Sequence, residues 1–262
     1  MKKNSNPLLA SATSLALALS SQLPAATISW QPSVDMYQGS TTETFVNTEG
    51  TSIVAYNNTT DITSGDTAVT VNGVSFTPQN TGIPLVGVGG ATITINGGTD
   101  NENAFGDGDF SNNGSIYHLI RGGTFEISSV TLSGLTIGQT YLVQAFNHDG
   151  RNSRHNDFIT GYDGTSSAPA GTSQLSNYET DGDPDIGGAR VGDSIIGTFL
   201  ADSATQVITI YGSGNNGASW ASGNSQSQIN AIQLRAIEPI PEPSSGLLVG
   251  LAGTVLLLRR RK

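Results

Sequence analysis

Residues 132–146 read LSGLTIGQTYLVQAF, and from Thr140 onward their side chains alternate between two faces of an extended chain. The two faces consist of Tyr141, Val143 and Ala145 and of Leu142, Gln144 and Phe146. Both faces therefore carry apolar groups, which is typical of a strand that is covered on both sides. This stretch predicts a central strand of a buried sheet.

Further strand-like segments recur along the chain at spacings of roughly ten residues. Glycine, asparagine and aspartate turns bound them, and no apolar pattern of period 3.6 persists. They are predicted at 52–56, 68–76 with a hairpin turn at Asn72-Gly73, 91–95, 124–132, 139–147, 194–200, 205–211 and 229–237. This order favours two packed antiparallel sheets over βαβ units. The sequence predicts an all-β body, a single antiparallel β-sandwich of the jelly-roll type over residues 27–237.

The segment from Leu132 to Gln144 is similar to the start of a core strand in many extracellular fibronectin-like and galactose-binding-like sandwiches. We expect Leu135 to close the edge of the sandwich, Gly138 to take the turn and Tyr141 to begin the buried strand. No activity follows from this resemblance.

The N-terminus has the order of a secretory signal peptide. Lys2 and Lys3 precede an apolar stretch, Leu8 to Leu23, which ends in Leu-Pro-Ala-Ala. That order predicts a signal peptide over residues 1–26 rather than an ordinary first helix. The chain contains no cysteine, so the exported body uses neither disulfides nor thiolate ligands.

The C-terminus carries a second targeting pattern. It consists of Pro241, Glu242 and Pro243, an apolar run from Leu247 to Leu258, and the basic end Arg259, Arg260, Arg261 and Lys262. Arginine and lysine stay on the cytoplasmic side of a membrane, so this order would hold the body outside. It resembles the PEP-CTERM sorting tail of bacterial surface proteins, also known as the ice-binding protein C-terminal domain. The resemblance implies that a membrane transpeptidase, an exosortase, recognises the Pro-Glu-Pro element and removes the anchor.

We therefore predict a proline-rich linker with the Pro-Glu-Pro motif at 238–243 and a transmembrane segment with a basic tail at 244–262. The apolar run has 12 residues, whereas about 20 span a bilayer, so it suits a transient anchor. The protein is expected to pass through the inner membrane, to be membrane-anchored at least transiently, and then to reach the cell surface or extracellular matrix.

The charge of the body excludes one class of partner. Once residues 1–26 and the tail from Pro241 are set aside, five basic and 20 acidic residues remain, a net charge of −15. Such a surface repels nucleic acid and anionic lipid. No nucleic-acid partner is expected.

An acidic loop at 181–188 is the candidate metal site. Asp181, Asp183 and Asp185 alternate as at the start of a calcium-binding loop, and oxygen ligands suit Ca²⁺. The twelfth position is Gly192 rather than glutamate, which excludes an EF-hand. A second acidic group consists of Asp100, Glu102, Asp107 and Asp109. Each group either holds calcium or is a solvated acidic turn.

The segment 147–157 follows the central strand and is the candidate ligand-binding loop. Its polar side chains would either hydrogen-bond to sugar hydroxyls or form contacts that fix a long loop. The candidate residues in it are His148, Asp149, Arg151 and Arg154. Trp220 stands among small polar residues, where its indole is either a stacking platform for a sugar or a plug over the end of the sandwich.

Catalysis has weak support in the sequence. Gly192-Asp193-Ser194-Ile195 resembles the nucleophile block of Gly-Asp-Ser-Leu hydrolases, but no histidine follows residue 155. The segment after Ser194 is predicted as a strand, so both the base and the helix of that chemistry are missing. A glycosidase pair of carboxylates stays open, because none of the many acidic residues stands out.

The leading hypothesis is an exported, non-catalytic surface or extracellular-matrix protein that binds carbohydrate. The alternative is a secreted polysaccharide-acting enzyme. Ice adhesion would need regular Thr-x-Thr ladders, and only short pieces such as Thr92-Ile93-Thr94 occur. The expected partners are an exosortase-type transpeptidase, extracellular polysaccharide and the membrane.

Overall fold

Strands dominate the described chain, as the alternating pattern predicts. The computed structural model describes residues 26–36, 43–58, 68–101, 114–148, 159–165, 168–174, 192–213, 220–223 and 227–237. The strands in these ranges are β1 (Ser29–Trp30), β2 (Val34–Met36), β3 (Thr51–Asn57), β4 (Val69–Val71), β5 (Val74–Pro78), β6 (Leu85–Val86), β7 (Thr92–Asn101), β8 (Gly123–Ser133), β9 (Thr140–Asn147), β10 (Ile159–Thr165), β11 (Ala168–Gln174), β12 (Gly192–Leu200), β13 (Thr205–Ser213), β14 (Ala221–Ser222), β15 (Gln228–Ile229) and β16 (Ala231–Ile237). The same ranges contain a short helix, α1 (Gly114–Ile120), and a 3-10 turn at Val88–Gly90.

The strands form two sheets with a core between them. The front sheet has the order β1-β12-β9-β16-β3-β5-β4, with β2 also paired to β12. The back sheet has the order β11-β10-β13-β8-β7-β6, with β14 beside β13 and β15 beside β8. The described pairs are antiparallel except for β3 with β5, which run parallel. The predicted all-β body of two sheets is confirmed, with one parallel pair that the prediction did not include.

Strand β9 lies inside the front sheet, between β12 and β16, and both of its faces are buried. Tyr141, Val143 and Ala145 enter the main core between the two sheets. Phe146, on the opposite face, belongs to a second core. The prediction of a central strand with two apolar faces is therefore confirmed.

The second core lies on the outer face of the front sheet. Phe146 packs edge-on against Phe45 and Phe76, with ring centroids 6.1 and 5.6 Å apart. Ile116 and Ile120 of α1 also belong to it, because residues four apart share one face of a helix. The helix has seven residues, too few for a persistent period of 3.6, and the sequence pattern did not predict it.

Three polar side chains hold the segment 45–50 against this outer face. Gln144 accepts a hydrogen bond from the backbone of the segment at 2.9 Å and donates to it at 2.5 Å. Gln233 donates to it at 2.9 Å. Arg235, which is 5% exposed, donates to three of its carbonyls at 2.6 to 2.8 Å. Burial lowers the pKa of Arg235, and these carbonyl oxygens stabilise its charge.

Two turns take the predicted form. Leu135 is buried in the main core and Gly138 adopts a φ of +83°. The hydroxyl of Tyr141 accepts a hydrogen bond from the backbone N–H of Thr136 at 2.9 Å, which closes the turn before β9. Asn72-Gly73 joins β4 to β5 with positive φ at both residues, as a type I′ hairpin turn requires.

Candidate functional site

Three segments of the chain leave the sandwich at the same end. Segment 149–158 joins β9 to β10, segment 175–191 joins β11 to β12, and segment 214–219 joins β13 to β14. All three segments lie outside the described residues. We call this end, where β9, β11 and β13 finish and β10 and β12 begin, the loop end.

The strand ends that carry these segments are neighbours in the sheets. On the front sheet, Asn147 at the end of β9 pairs with Asp193 near the start of β12. On the back sheet, Ile159 at the start of β10 pairs with Gln174 and Ser213, the last residues of β11 and β13. The described strand ends to which the three segments attach are therefore close neighbours at one end of a rigid scaffold, the position in which binding loops commonly occur.

Below this area the interior of the sandwich changes from apolar to polar. Asn147 donates a hydrogen bond from Nδ2 to the carbonyl of Gln228 and accepts one at Oδ1 from the hydroxyl of Tyr162. Asn147 belongs to the front sheet and Tyr162 to the back sheet, so this contact connects the two sheets at the loop end. We use the name polar floor for six of the buried residues with polar groups in this region, Asn147, Thr160, Tyr162, Asp193, Gln228 and Asn230.

Two amide side chains of the polar floor hold the chain where segment 149–158 begins. Gln228 donates from Nε2 to the carbonyl of His148 at 2.6 Å, and Asn230 accepts at Oδ1 from the N–H of His148 at 2.7 Å. Asn230 also donates from Nδ2 to the carbonyl of Ile120, the last residue of α1, at 2.8 Å and to that of Gly122 at 2.9 Å. Buried amide networks of this kind are rigid when their members are satisfied. The polar floor therefore fixes the base of the loop end.

Asp193 brings a carboxylate to the polar floor. It is 7% exposed. Burial above all, and then the charge of Asp193, raise the pKa of Tyr162 well above its ordinary value. The hydroxyl of Tyr162 is therefore protonated at neutral pH and acts as a donor toward Asn147.

Two predicted ligand-binding residues are described, and both lie at the loop end. The side chain of His148 is fully buried, with its backbone held by the polar floor. Trp220 is half-buried and directly precedes β14, which pairs with β13 beside the end of that strand. Asp149, Arg151 and Arg154 lie outside the described residues. The choice between platform and plug stays open for Trp220.

The predicted calcium and sorting residues also fall outside the described ranges. They are Asp181, Asp183, Asp185, Pro241, Glu242, Pro243, Arg259, Arg260 and Arg261. Within the described ranges, no group of three or more histidine, cysteine, aspartate or glutamate side chains is placed to hold a metal ion. The helix in this part of the chain is too short to cross a bilayer.

Asp100, from the second acidic group, is described and accepts hydrogen bonds from protein donors. Its Oδ1 accepts from Asn58 and from Thr124, both at 2.8 Å, and its Oδ2 accepts from the N–H of Thr81 at 2.9 Å. Burial first, and then the charge of Asp100, raise the pKa of the nearby Tyr56. Asp100 therefore connects β7 to the residue just after β3, to the turn that follows β5, and to β8.

Ser194 lies within a strand, as predicted. It pairs with Phe146 on one side and with Val34 on the other, and it is buried. A nucleophile elbow places its serine at a sharp turn from strand to helix. The backbone at Ser194 does not have that form.

A groove of about 400 Å³ lies away from the loop end, between β3, β5 and residues 85–88. Its walls come from serine, threonine, glycine and aliphatic residues. None of these side chains titrates near neutral pH, so the groove wall offers no general acid or base.

Sequence reasoning missed most of the polar floor. Strand β10, which contains Thr160 and Tyr162, and its neighbour β11 were not predicted, because their sequences lack a clear alternation of apolar residues. Gln228 precedes the predicted strand 229–237, and Asn230 lies inside it. Two amides on either side of a buried isoleucine, Gln228 in β15 and Asn230 between β15 and β16, were the signal that could have indicated an internal polar network.

Comparisons with known proteins identify no family for this chain. No protein-family profile matches the sequence, and no curated protein matches it. A calcium-binding mutant of Bacteroides uniformis β-glucuronidase 2 is 13% identical, with a TM-score of 0.39. The same enzyme covalently bound to cyclophellitol-6-carboxylate aziridine is 13% identical, with a TM-score of 0.37. In both comparisons the match covers 70% of this chain but only 18% of the enzyme chain.

Proposed function

We propose that this protein is an exported, non-catalytic surface or extracellular-matrix protein whose loop end binds carbohydrate. The observation that supports binding is the common origin of three segments above one buried polar floor. Rigid strand ends with a satisfied hydrogen-bond network can hold loops in a fixed arrangement, which lowers the entropy cost of binding. The acidic body favours a neutral or cationic glycan over an anionic one.

In this proposal the polar floor supports the site, and the loops contact the sugar. Asn147, Tyr162 and Gln228 are buried and bonded to one another or to backbone. Direct contacts would come from Trp220 by stacking and from the side chains of segment 149–158, Asp149, Arg151 and Arg154, by hydrogen bonds.

A glycan array run beside hydrolase assays on the same polysaccharides tests this function. Binding without release of reducing ends is the expected result, while release would favour the alternative, a polysaccharide-acting enzyme. Trp220→Ala should abolish glycan binding and leave the melting temperature unchanged if the indole is a platform. Ile137→Ala, at an exposed position in the turn before β9, is the matched control and should bind normally. If Trp220→Ala loses about 3 to 5 kcal/mol of stability while binding is unchanged, the platform role is discarded.

The export route is part of the same proposal. Residues 1–26 serve as the signal peptide, 238–243 as the linker with the exosortase motif, and 244–262 as the membrane segment. The order of charged, apolar and proline residues at the two ends of the chain supports these three assignments. Intact-mass analysis should show a mature protein that begins near Ala26. In a host with an exosortase it should also end near Pro243. A secreted form that retains Arg259 to Lys262 would contradict the sorting role.

We assign the body to the jelly-roll class of sandwiches. The support is the path of the chain, which passes from one sheet to the other between β8 and β9, β9 and β10, β11 and β12, and β12 and β13. The β7–β8 hairpin stays within the back sheet. An experimental structure of the whole body, including segments 149–158 and 175–191, would test this topology.

A further inference from the structure

Both ends of the described body leave the sandwich at the end opposite the loop end. Strand β1 pairs with the last residues of β12, and continuing that register by two residues brings Thr27 beside Leu200. Leu200 pairs with Thr140, and Thr140 pairs with Ile237. Thr27, next to the first described residue, and Ile237, the last one, thus lie along one row of the front sheet, and we call this the terminal end.

Strand geometry gives the dimensions of this arrangement. The row crosses β1, β12, β9 and β16, so the two chain ends are three strand spacings, or about 14 Å, apart. Asp193 at the loop end is seven residues from Leu200 along β12, which corresponds to about 23 Å. The two chain ends are therefore closer to each other than either is to the loop end.

The surface of the terminal end suits proximity to a membrane without insertion. Ile137 and Leu200 are exposed there by 66% and 59%. Backbone hydrogen bonds between Gly138, Ala201 and the adjoining chain, at 2.7 and 3.0 Å, hold these two turns together. The acidic Asp202 follows directly, and a carboxylate is costly to bury in lipid.

We infer that the folded protein, before its two targeting segments are removed, turns its terminal end toward the membrane and presents its loop end away from it. The inference rests on the proposed targeting role of residues 1–26 and 244–262. Two membrane segments that leave one end of a body about 14 Å apart can both stay in the bilayer while the body is fully folded. If they left from opposite ends, one linker would have to run the length of the sandwich. The lipid surface therefore faces the terminal end, and extracellular polymer faces the loop end.

The absence of cysteine makes this orientation measurable with single thiol labels. Ser203→Cys places a fluorophore at the terminal end, just after β12, and Ser222→Cys places one on β14 near the loop end; both serines are exposed. The full-length unprocessed chain is reconstituted in phosphatidylcholine vesicles that carry a headgroup quencher. We expect severalfold stronger quenching at position 203 than at position 222. The matched control is the chain of residues 27–243 with the same labels, which should show no quenching at either position.

The possible failures are distinguishable. Equal or reversed quenching in vesicle-bound protein would overturn the orientation and leave the targeting proposal intact. Failure of both full-length variants to bind vesicles would overturn the targeting proposal, and this inference with it.

Discussion

Replacing Tyr162 with phenylalanine tests whether the polar floor supports the loop end. The change removes the hydroxyl that donates to Asn147 and keeps the ring, whose centroid lies 5.3 Å from that of Trp30. Asn147, which is 0% exposed, would then have a buried oxygen without this donor. An unsatisfied buried acceptor costs about 1 to 3 kcal/mol. Each kcal/mol lowers the Tm of a domain of this size by about 2 to 4 °C, so the expected decrease is about 2 to 12 °C.

Tyr141→Phe is the matched control, because it removes the same chemical group at the terminal end. The Tyr141 hydroxyl is the acceptor for the N–H of Thr136 at 2.9 Å, and the side chain is buried to a similar degree. Both variants should lose a comparable amount of stability in scanning calorimetry. Only Tyr162→Phe should also weaken glycan binding, measured by titration calorimetry with the strongest glycan from the array.

An unchanged Tm in Tyr162→Phe would show that the hydroxyl contributes nothing to stability and would refute the reasoning about the polar floor. Equal losses of glycan affinity in the two variants would refute its local character, since the effect would then follow general destabilisation rather than position.

Arg235→Met should lower the free energy of unfolding by about 2 to 4 kcal/mol in urea titrations, because three carbonyls of segment 45–50 lose a charged donor. Arg235→Lys, which keeps the charge but not the planar guanidinium group, should recover only part of this loss. Full recovery would contradict the role of the guanidinium group in bonding three carbonyls. The raised pKa values of Tyr56 and Tyr162 contribute to the free energy of unfolding, and this contribution is complete below the unfolded-state pKa of 10.0. Above that pH the free energy of unfolding falls by about 1.4 kcal/mol per tyrosine per pH unit. Urea denaturation from about pH 9 to 12 should show this slope, and it should be smaller in Tyr56→Phe; identical slopes would contradict the assignment. If Asp181, Asp183 and Asp185 bind calcium, an excess of 100-fold over Kd should add about 2.7 kcal/mol of stability, and Asp183→Asn should remove most of this gain. Equal melting temperatures with calcium and with chelator would exclude such a site.

Most of the long strands could be predicted from local pattern. The segments that became β3, β8, β9, β12, β13 and β16 were all identified, because each is a short run of strand-forming residues bounded by turn residues, and both signals are visible within a few positions. Leu135, Gly138 and the Asn72-Gly73 turn were also predicted correctly, since a turn with positive φ restricts residue type locally. The short helix α1 was not predicted, because seven residues are too few to show a period of 3.6. Strands β10 and β11 were not predicted either, because their sequences show no clear period-2 alternation of apolar residues.

The composition of the chain was sufficient for the all-β class, the excess of acidic residues and the absence of cysteine, and its two ends carry the targeting patterns in their residue order. Period-2 alternation says which face of a strand is buried, but it does not say which strand lies alongside or in which register. The polar floor depends on that missing information. Asn147 contacts Tyr162 and Gln228 across sequence separations of 15 and 81 residues. The position of the chain termini at one end of the sandwich likewise depends on the register of β12 against β1 and β9. Sheet order and register follow from the total area buried between the two sheets, a sum over the whole sandwich that no local stretch of sequence contains.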